Sequence, residues 1–260
     1  MAFTISCPVP AYAMTVVLDP GHGGEGTSGS GAIYEPYVEK ELNISVATRV
    51  KDELEDAGIT VYMTRGDDEA LSLEERADIA ASYDADLLVS LHFNSSGPHD
   101  KAGSEVWTSF NEPFYEAGKA VGEHILEGLN DLGFANKGVK VREGDRGDYY
   151  GIIRNGTAHG IPTIIVEHCF IDNVLDRLLL ESAGVDALAH ADAQGIIRYV
   201  TDQGGLISVS HSVTGDDTAD STAATQPSDR PSEAHSIRES KLIRKDTMSH
   251  GFSVAHKAQQ

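Results

Sequence analysis

Apolar and polar positions along the chain fall into short strand-like runs separated by helical stripes. Val16-Val17-Leu18 is an apolar run halted by Asp19-Pro20-Gly21, the pattern of a buried strand entering a turn. Between residues 39 and 57, Leu42, Val46, Val50 and Leu54 recur at every fourth position. That spacing is one face of a helix, and Gly58 closes it. Residues 59–63 read as a strand. Ser72-Leu73-Glu74-Glu75 is a capping box that opens a helix to about Tyr83. Residues 87–91 form a buried-strand run leading into His92, and residues 105–110 alternate as a strand does. Residues 114–132 are helical, 139–141 form a short strand, 163–166 are a second buried run leading into Glu167, and 185–200 form a closing helix. This alternation predicts an α/β fold over residues 14–202, with a mostly parallel, twisted central sheet flanked by helices.

The pattern stops near Gly204-Gly205. Residues 203–260 are rich in Ser, Thr, Asp and Ala, with one Phe and no Trp or Tyr. Such a segment cannot bury enough apolar surface to offset its ordering entropy, so a disordered tail is expected, with at most a weak helix near 237–245. At the other end, Ala11-Tyr12-Ala13 fits the small-x-small pattern that ends a secretory signal. Only ten residues precede it, and none is Lys or Arg. Residues 1–13 are therefore read as a tail or the remnant of a longer signal.

Composition narrows the function. A chain of 260 residues, 40% hydrophobic, can bury a sizeable core without disulfides. The net charge of −21 opposes a nucleic-acid partner, since phosphates need a basic footprint. No apolar run is long enough for a transmembrane segment. Cys7 and Cys169 are too few for a disulfide framework or a cysteine zinc site. No internal repeat is visible, and the chain is expected to be monomeric.

Candidate chemistry gathers at strand ends. In an open α/β sheet, ligands bind beyond the carboxyl ends of the strands. Three apolar runs lead to ionisable groups there: the first to His22, the next to His92 and the last to Glu167. Glu39 opens the first long helix and can reach the same edge. Two imidazoles and a carboxylate make a catalytic zinc set with one position left for water, and a further carboxylate would serve as general base and acid. The alternative is that these polar residues merely cap the sheet.

Four motifs in order sharpen the choice: Asp19-Pro20-Gly21-His22-Gly23-Gly24, Glu39-Lys40-Glu41-Leu42-Asn43, Ser90-Leu91-His92-Phe93-Asn94 and Val166-Glu167-His168-Cys169-Phe170. Together they resemble the zinc-dependent N-acetylmuramoyl-L-alanine amidases, the catalytic domain called amidase-3, over residues 14–202. Arg76 also stands where that family places an Arg ahead of its second histidine strand. The resemblance implies one zinc per chain, held by His22, Glu39 and His92, with Glu167 as the catalytic carboxylate. It implies peptidoglycan as substrate, cut between the lactyl group of N-acetylmuramic acid and L-alanine. It also implies work outside the membrane, extracellular or in the cell envelope, as a secreted autolysin or equally as a lysin released by a phage or during sporulation.

Asn94 and Arg154 are candidate substrate-binding residues, Arg154 through bidentate grip on a carboxylate; a surface ion pair is the other reading of Arg154. The family commonly has an apolar residue at the position of His168 and Gly at that of Cys169. In a strand His168 faces away from Glu167 and is read as structural, with a part in the site as the other reading, and Cys169 is read as a small buried residue. The Gly-rich and Ser-rich stretch from Gly24 to Glu39 is expected to be a flexible loop rimming the site. No spare segment between His92 and Glu167 is available for a blocking helix, so an open site is expected. The other histidines, His99, His124, His159 and His190 among them, are expected on loops or helix faces without a catalytic task.

Other classes fit less well. Gly21-His22-Gly23-Gly24-Glu25-Gly26 satisfies the dinucleotide fingerprint, but no helix opens within it and it leaves His22, His92 and Glu167 unexplained. There is no His-Glu-x-x-His helix and no Gly-x-Ser-x-Gly elbow. A zinc hydrolase acting on another amide and a non-catalytic peptidoglycan-binding relative remain as alternatives.

Overall fold

The computed structural model describes residues 14–204. The expectations for residues 1–13 and for the tail from residue 205 onward lie outside the described residues. In chain order the elements are β1 (Thr15–Pro20), a single turn α1 (Thr27–Ser30), a hairpin of β2 (Ile33–Tyr34) and β3 (Tyr37–Val38), α2 (Glu39–Asp56), β4 (Thr60–Met63), α3 (Leu73–Ser82), β5 (Leu87–Asn94), β6 (Ser104–Thr108), α4 (Phe114–Asp131), β7 (Asn136–Val141), a second hairpin of β8 (Glu143–Gly144) and β9 (Gly147–Asp148), α5 (Gly151–Ala158), β10 (Thr163–Phe170) and α6 (Val174–Asp202).

Six strands form the central sheet in the order β4-β1-β5-β10-β6-β7. The first four run parallel, β6 is antiparallel to β10, and β7 is parallel to β6. The sheet is thus mostly parallel, as the strand–helix alternation predicts. Helices cover both faces. Val16, Leu18, Leu87, Val89, Leu91, Ile164 and Val166 pack with α2, α4 and α6. Val17, Leu88 and Ile165 pack with Ala80 of α3 and Ile152 and Ile153 of α5. Burial on both faces is why the central strands read as continuous apolar runs instead of alternating ones. Among the described residues no helix is long and apolar enough to cross a membrane.

The capping box forms both of its bonds: Ser72 N donates to Glu75 Oε2 at 2.8 Å, and Glu75 N to Ser72 Oγ at 3.2 Å. Four features depart from the sequence reading. β5 and β10 run on past His92 and Glu167, to Asn94 and Phe170, so the strands are longer than the apolar runs that mark them. The stretch from Gly24 to Glu39 is not an unstructured loop but holds α1 and the β2–β3 hairpin. α5 carries two glycines and two isoleucines in eight residues, a composition of low helix propensity that burial of Ile152 and Ile153 overrides. α6 begins at Val174, well ahead of the expected start, and breaks at Gly184, where φ is 76°. Its first half exposes Val174, Leu175 and Leu178, so no apolar stripe marks it; Asn173 starts it by accepting from Leu175 N at 2.9 Å.

Candidate metal centre

β1 delivers the chain to a turn whose backbone carbonyls are all held from behind. Arg65 Nε and Arg76 Nη1 donate to Pro20 O at 2.8 and 3.0 Å. Arg65 Nη2 and Asn43 Nδ2 donate to Gly21 O at 2.9 and 3.0 Å, and Arg76 Nη2 to His22 O at 2.6 Å. His22 itself takes a left-handed φ of 63°, rare for a residue with a side chain. Asp19 anchors Arg76 at 2.6 Å and also accepts from Thr64 Oγ1 and Ser90 Oγ. Burial by itself would raise the Asp19 pKa, but the Arg76 charge and these hydrogen bonds outweigh it and hold the carboxyl below its usual value. A turn fixed this fully can keep a strained residue in place.

His22, Glu39 and His92 converge. One ligand-capable atom from each lies within 4.8 Å of the others, the sole such grouping of three or more among the described residues. His22 Nε2 and His92 Nδ1 approach the same Glu39 Oε1 at 3.1 and 2.8 Å. Phe93 N and Ala32 N donate to the two Glu39 oxygens at 3.2 and 2.7 Å. Two glycines make room: a Cβ on Gly21 would stand 2.1 Å from His92 Cε1, and one on Gly31 would stand 2.4 Å from Glu39 Oε2.

The protonation states suit a cation. Burial opposes ionisation of Glu39, yet its hydrogen bonds and charge interactions with the two imidazoles keep its pKa well below the ordinary range. Burial lowers the His92 pKa and favours the neutral ring, which is the form that binds metal. An ionised carboxylate between two imidazoles, with closely spaced lone pairs, fits a divalent metal.

Glu167 stands beside this group. It pairs with His92 across β5 and with Glu105 across β6. Its Oε2 is buried with no hydrogen-bond partner. Burial first, then the negative charges of Glu39 and Glu105, raise its pKa well above the usual carboxylate value. A positive charge at the His22–Glu39–His92 group would relieve that repulsion and favour the ionised, proton-accepting form. Tyr150 lies close enough for burial and the Glu167 charge to push its phenol up to about 12. His22 and His92 line a cleft of about 360 Å³, walled on one side by Leu73 and Ile152, so both rings face an open space.

The remaining candidates separate. Asn94, half-buried at the end of β5, donates to Glu105 Oε1 at 3.1 Å and so borders Glu167 through that carboxylate. Arg154 instead holds the carbonyls of Asp148 and Tyr149, at 2.7 and 3.3 Å, at the corner entering α5. These bonds are to backbone, not to an acidic side chain. His168 faces the opposite side of the sheet and is fully buried, as is Cys169. His99, His124, His159 and His190 each sit beside a carboxylate: Asp172, Asp202, Asp78 and Glu53 respectively. The glycine run after β1 leads only into four-residue α1, so the helix required by a dinucleotide fingerprint is missing there. Sequence reasoning did not assign Arg65, Asn43 or Gly31. Arg65 carried a usable signal, a basic residue two positions past the end of β4 on the same sheet edge.

Comparison with known proteins agrees with this geometry. The sequence profile of the family described as N-acetylmuramoyl-L-alanine amidase matches residues 16–198. N-acetylmuramoyl-L-alanine amidase LytC of Bacillus subtilis is 33% identical over 194 residues, covering 73% of this chain and 36% of LytC. This chain therefore corresponds to about a third of that relative. Among solved structures, N-acetylmuramoyl-L-alanine amidase AmiC2 of Nostoc punctiforme superposes with a TM-score of 0.62 at 28% identity, covering 74% of this chain and 99% of that one. The catalytic domain of the amidase CwlV from Bacillus (Paenibacillus) polymyxa gives 0.61 at 26% identity, covering 72% and 98%.

Proposed function

The chain belongs to the N-acetylmuramoyl-L-alanine amidase family, and on that premise we propose that it is a zinc-dependent peptidoglycan hydrolase acting in the cell envelope or outside the cell. The bond cut joins the lactyl carbonyl of N-acetylmuramic acid to the L-alanine of the stem peptide. The observation that carries this reading is the convergence of His22, Glu39 and His92 with the unpartnered Glu167 carboxylate beside them.

His22, Glu39 and His92 hold one zinc ion in this reading. Zinc bound there would supply Lewis acidity towards the amide carbonyl and the attacking water. Glu167 accepts the proton of that water and returns it to the departing L-alanine nitrogen. Its Oε2 is free to do so, because no protein donor occupies it. Arg76, Arg65 and Asn43 keep the His22 turn rigid, so ligand geometry is set before substrate arrives. Asn94 orients Glu105 next to Glu167 and borders the approach of the stem peptide. Arg154 acts through the backbone of the corner at Asp148 and Tyr149.

The test uses the full chain on purified, dye-labelled peptidoglycan. Dye release should stop with a chelator, return with stoichiometric zinc and be lost in Glu39→Ala. Release that persists in metal-free protein would refute the reading.

A further inference from the structure

A second buried polar pair lies on the other face of the same strands. β10 slips against β5 directly after Glu167: Glu167 pairs with His92 but Phe170 with Asn94, so three steps on β10 answer two on β5. His168 sits in this slip. Its ring is wholly buried and lies along Phe93, with centroids 4.8 Å apart and planes 26° apart. His168 Nδ1 is 2.8 Å from His92 O, and Nε2 is 2.7 Å from Asp192 Oδ2 on α6. A carbonyl oxygen only accepts, so Nδ1 carries a hydrogen, and a second hydrogen lies between Nε2 and the carboxylate.

The peptide unit that receives this bond is also held at its other end. Phe93 N donates to Glu39 Oε1 at 3.2 Å. The His92–Phe93 peptide therefore has its oxygen on His168 and its N–H on Glu39. Peptide resonance couples the two sites: a donor on the oxygen strengthens the N–H as a donor. The chain runs Asp192, His168, peptide, Glu39, and returns to His92, whose Nδ1 reaches the same Oε1 at 2.8 Å. His92 hangs from this peptide by its own backbone, and Glu39 is tethered to it by a hydrogen bond.

We propose that His168 and Asp192 are positioning residues of the metal centre, fixing His92 and Glu39 through the His92–Phe93 peptide from the opposite face of the sheet. The proposal rests on the zinc reading given above. It differs from a plain core pair in its consequence. A core pair can be exchanged for apolar residues of similar volume with little loss, whereas partners behind ligands cost metal affinity when removed.

The test compares the full wild-type chain, Asp192→Asn and the double variant His168→Leu with Asp192→Leu. Zinc affinity is measured against a competing chelator, urea unfolding of zinc-free protein reports stability, and the Phe93 amide proton is followed by NMR without metal. The double variant should fold yet bind zinc about 10- to 100-fold more weakly, the range for lost outer partners. Its Phe93 proton should move upfield as the bond to Glu39 weakens. Asp192→Asn keeps the shape but removes the charge; it should fold like wild type and fall between the two in both affinity and shift. If the double variant does not fold, Asp192→Asn alone decides. Wild-type affinity and wild-type Phe93 shift in the folded variants would reduce the pair to core packing and overturn the proposal. A wild type that takes up no zinc would overturn the metal reading and the proposal together.

Discussion

The two faces of β5 and β10 make opposite use of alternate residues. On the front, Ser90 and His92 line the cleft with Asp19 and Arg76, Glu39 bonds His92, and Glu167 pairs with His92 across the strands. On the back, Val89, Leu91, Phe93 and Val166 merge into the larger apolar core with α2, α4 and α6. The front is polar and holds the buried Glu167 Oε2 without a hydrogen-bond partner, a cost in free energy that marks functional sites. The back is mostly apolar and holds the buried His168–Asp192 pair, whose Asp192 Oδ1 also lacks a hydrogen-bond partner. The contrast teaches that a site at a strand end needs both faces: period-two alternation places the reacting groups, and the groups between them fix the strand that carries them.

Substitutions can probe each face in turn. The largest effect belongs to Glu167→Gln on the front. Loss of general acid–base action should lower turnover by about 10²- to 10⁴-fold while zinc uptake, measured by equilibrium dialysis, stays that of wild type. Turnover retained in this variant would remove Glu167 from the mechanism. Next comes the support beneath His22. Arg76→Leu leaves buried Asp19 without its counter-charge, and breaking one partner of a buried pair costs about 3–5 kcal/mol, read by urea unfolding. A loss below about 1 kcal/mol, the scale of an exposed pair, would mean that the turn stands without Arg76.

Gly21→Ala is a smaller steric test of the same seam. Its Cβ meets His92 Cε1 at 2.1 Å, so overpacking should cost about 1–3 kcal/mol and displace one ligand. Zinc affinity should fall in a protein that still folds; unchanged affinity would show that His92 has room to move. The pH dependence of stability follows from Asp19, whose folded pKa lies below its ordinary value. The unfolded chain then binds protons more readily, so this contribution is complete above about pH 3.9 and is lost as pH falls through the folded pKa. Wild-type stability should therefore decline in that acid window. Asp19→Asn should decline less steeply there, and equal slopes would contradict the assignment. The smallest expected effect is ionic. With a net charge of −21, binding to an anionic wall should improve as salt screens repulsion; binding that weakens steadily with salt would point to an attractive charge contact.

Much of this was legible in the sequence because local rules and tertiary context agree. The four-residue spacing of α2, the capping box of α3 and the apolar runs of β5 and β10 all hold. The four motifs marked the residues that the fold brings to one edge. What escaped were features fixed by packing partners far along the chain. The first half of α6 shows no apolar stripe, because its capping by Asn173 and the burial of Asp176 and Leu180 set its place. α5 looks like a poor helix until Ile152 and Ile153 find the sheet. Arg65 reads in the sequence as a basic residue just past a strand; its four backbone carbonyl partners Pro20, Gly21, Lys40 and Asp67 reveal it as a brace. His168 was correctly expected to face away from Glu167, but its contact with His92 O depends on the slip between β10 and β5, which no periodicity records.

The central claim is that His22, Glu39, His92 and Glu167, gathered at one end of the sheet, open one amide bond with zinc. It is tested most directly by mass spectrometry of purified peptidoglycan digested with the zinc-loaded full chain, beside chelated protein and Glu167→Gln. The account expects stem peptides released with a free L-alanine amine, absent from both controls. Products cut at any other bond, or the same peptides from the chelated protein, would contradict it.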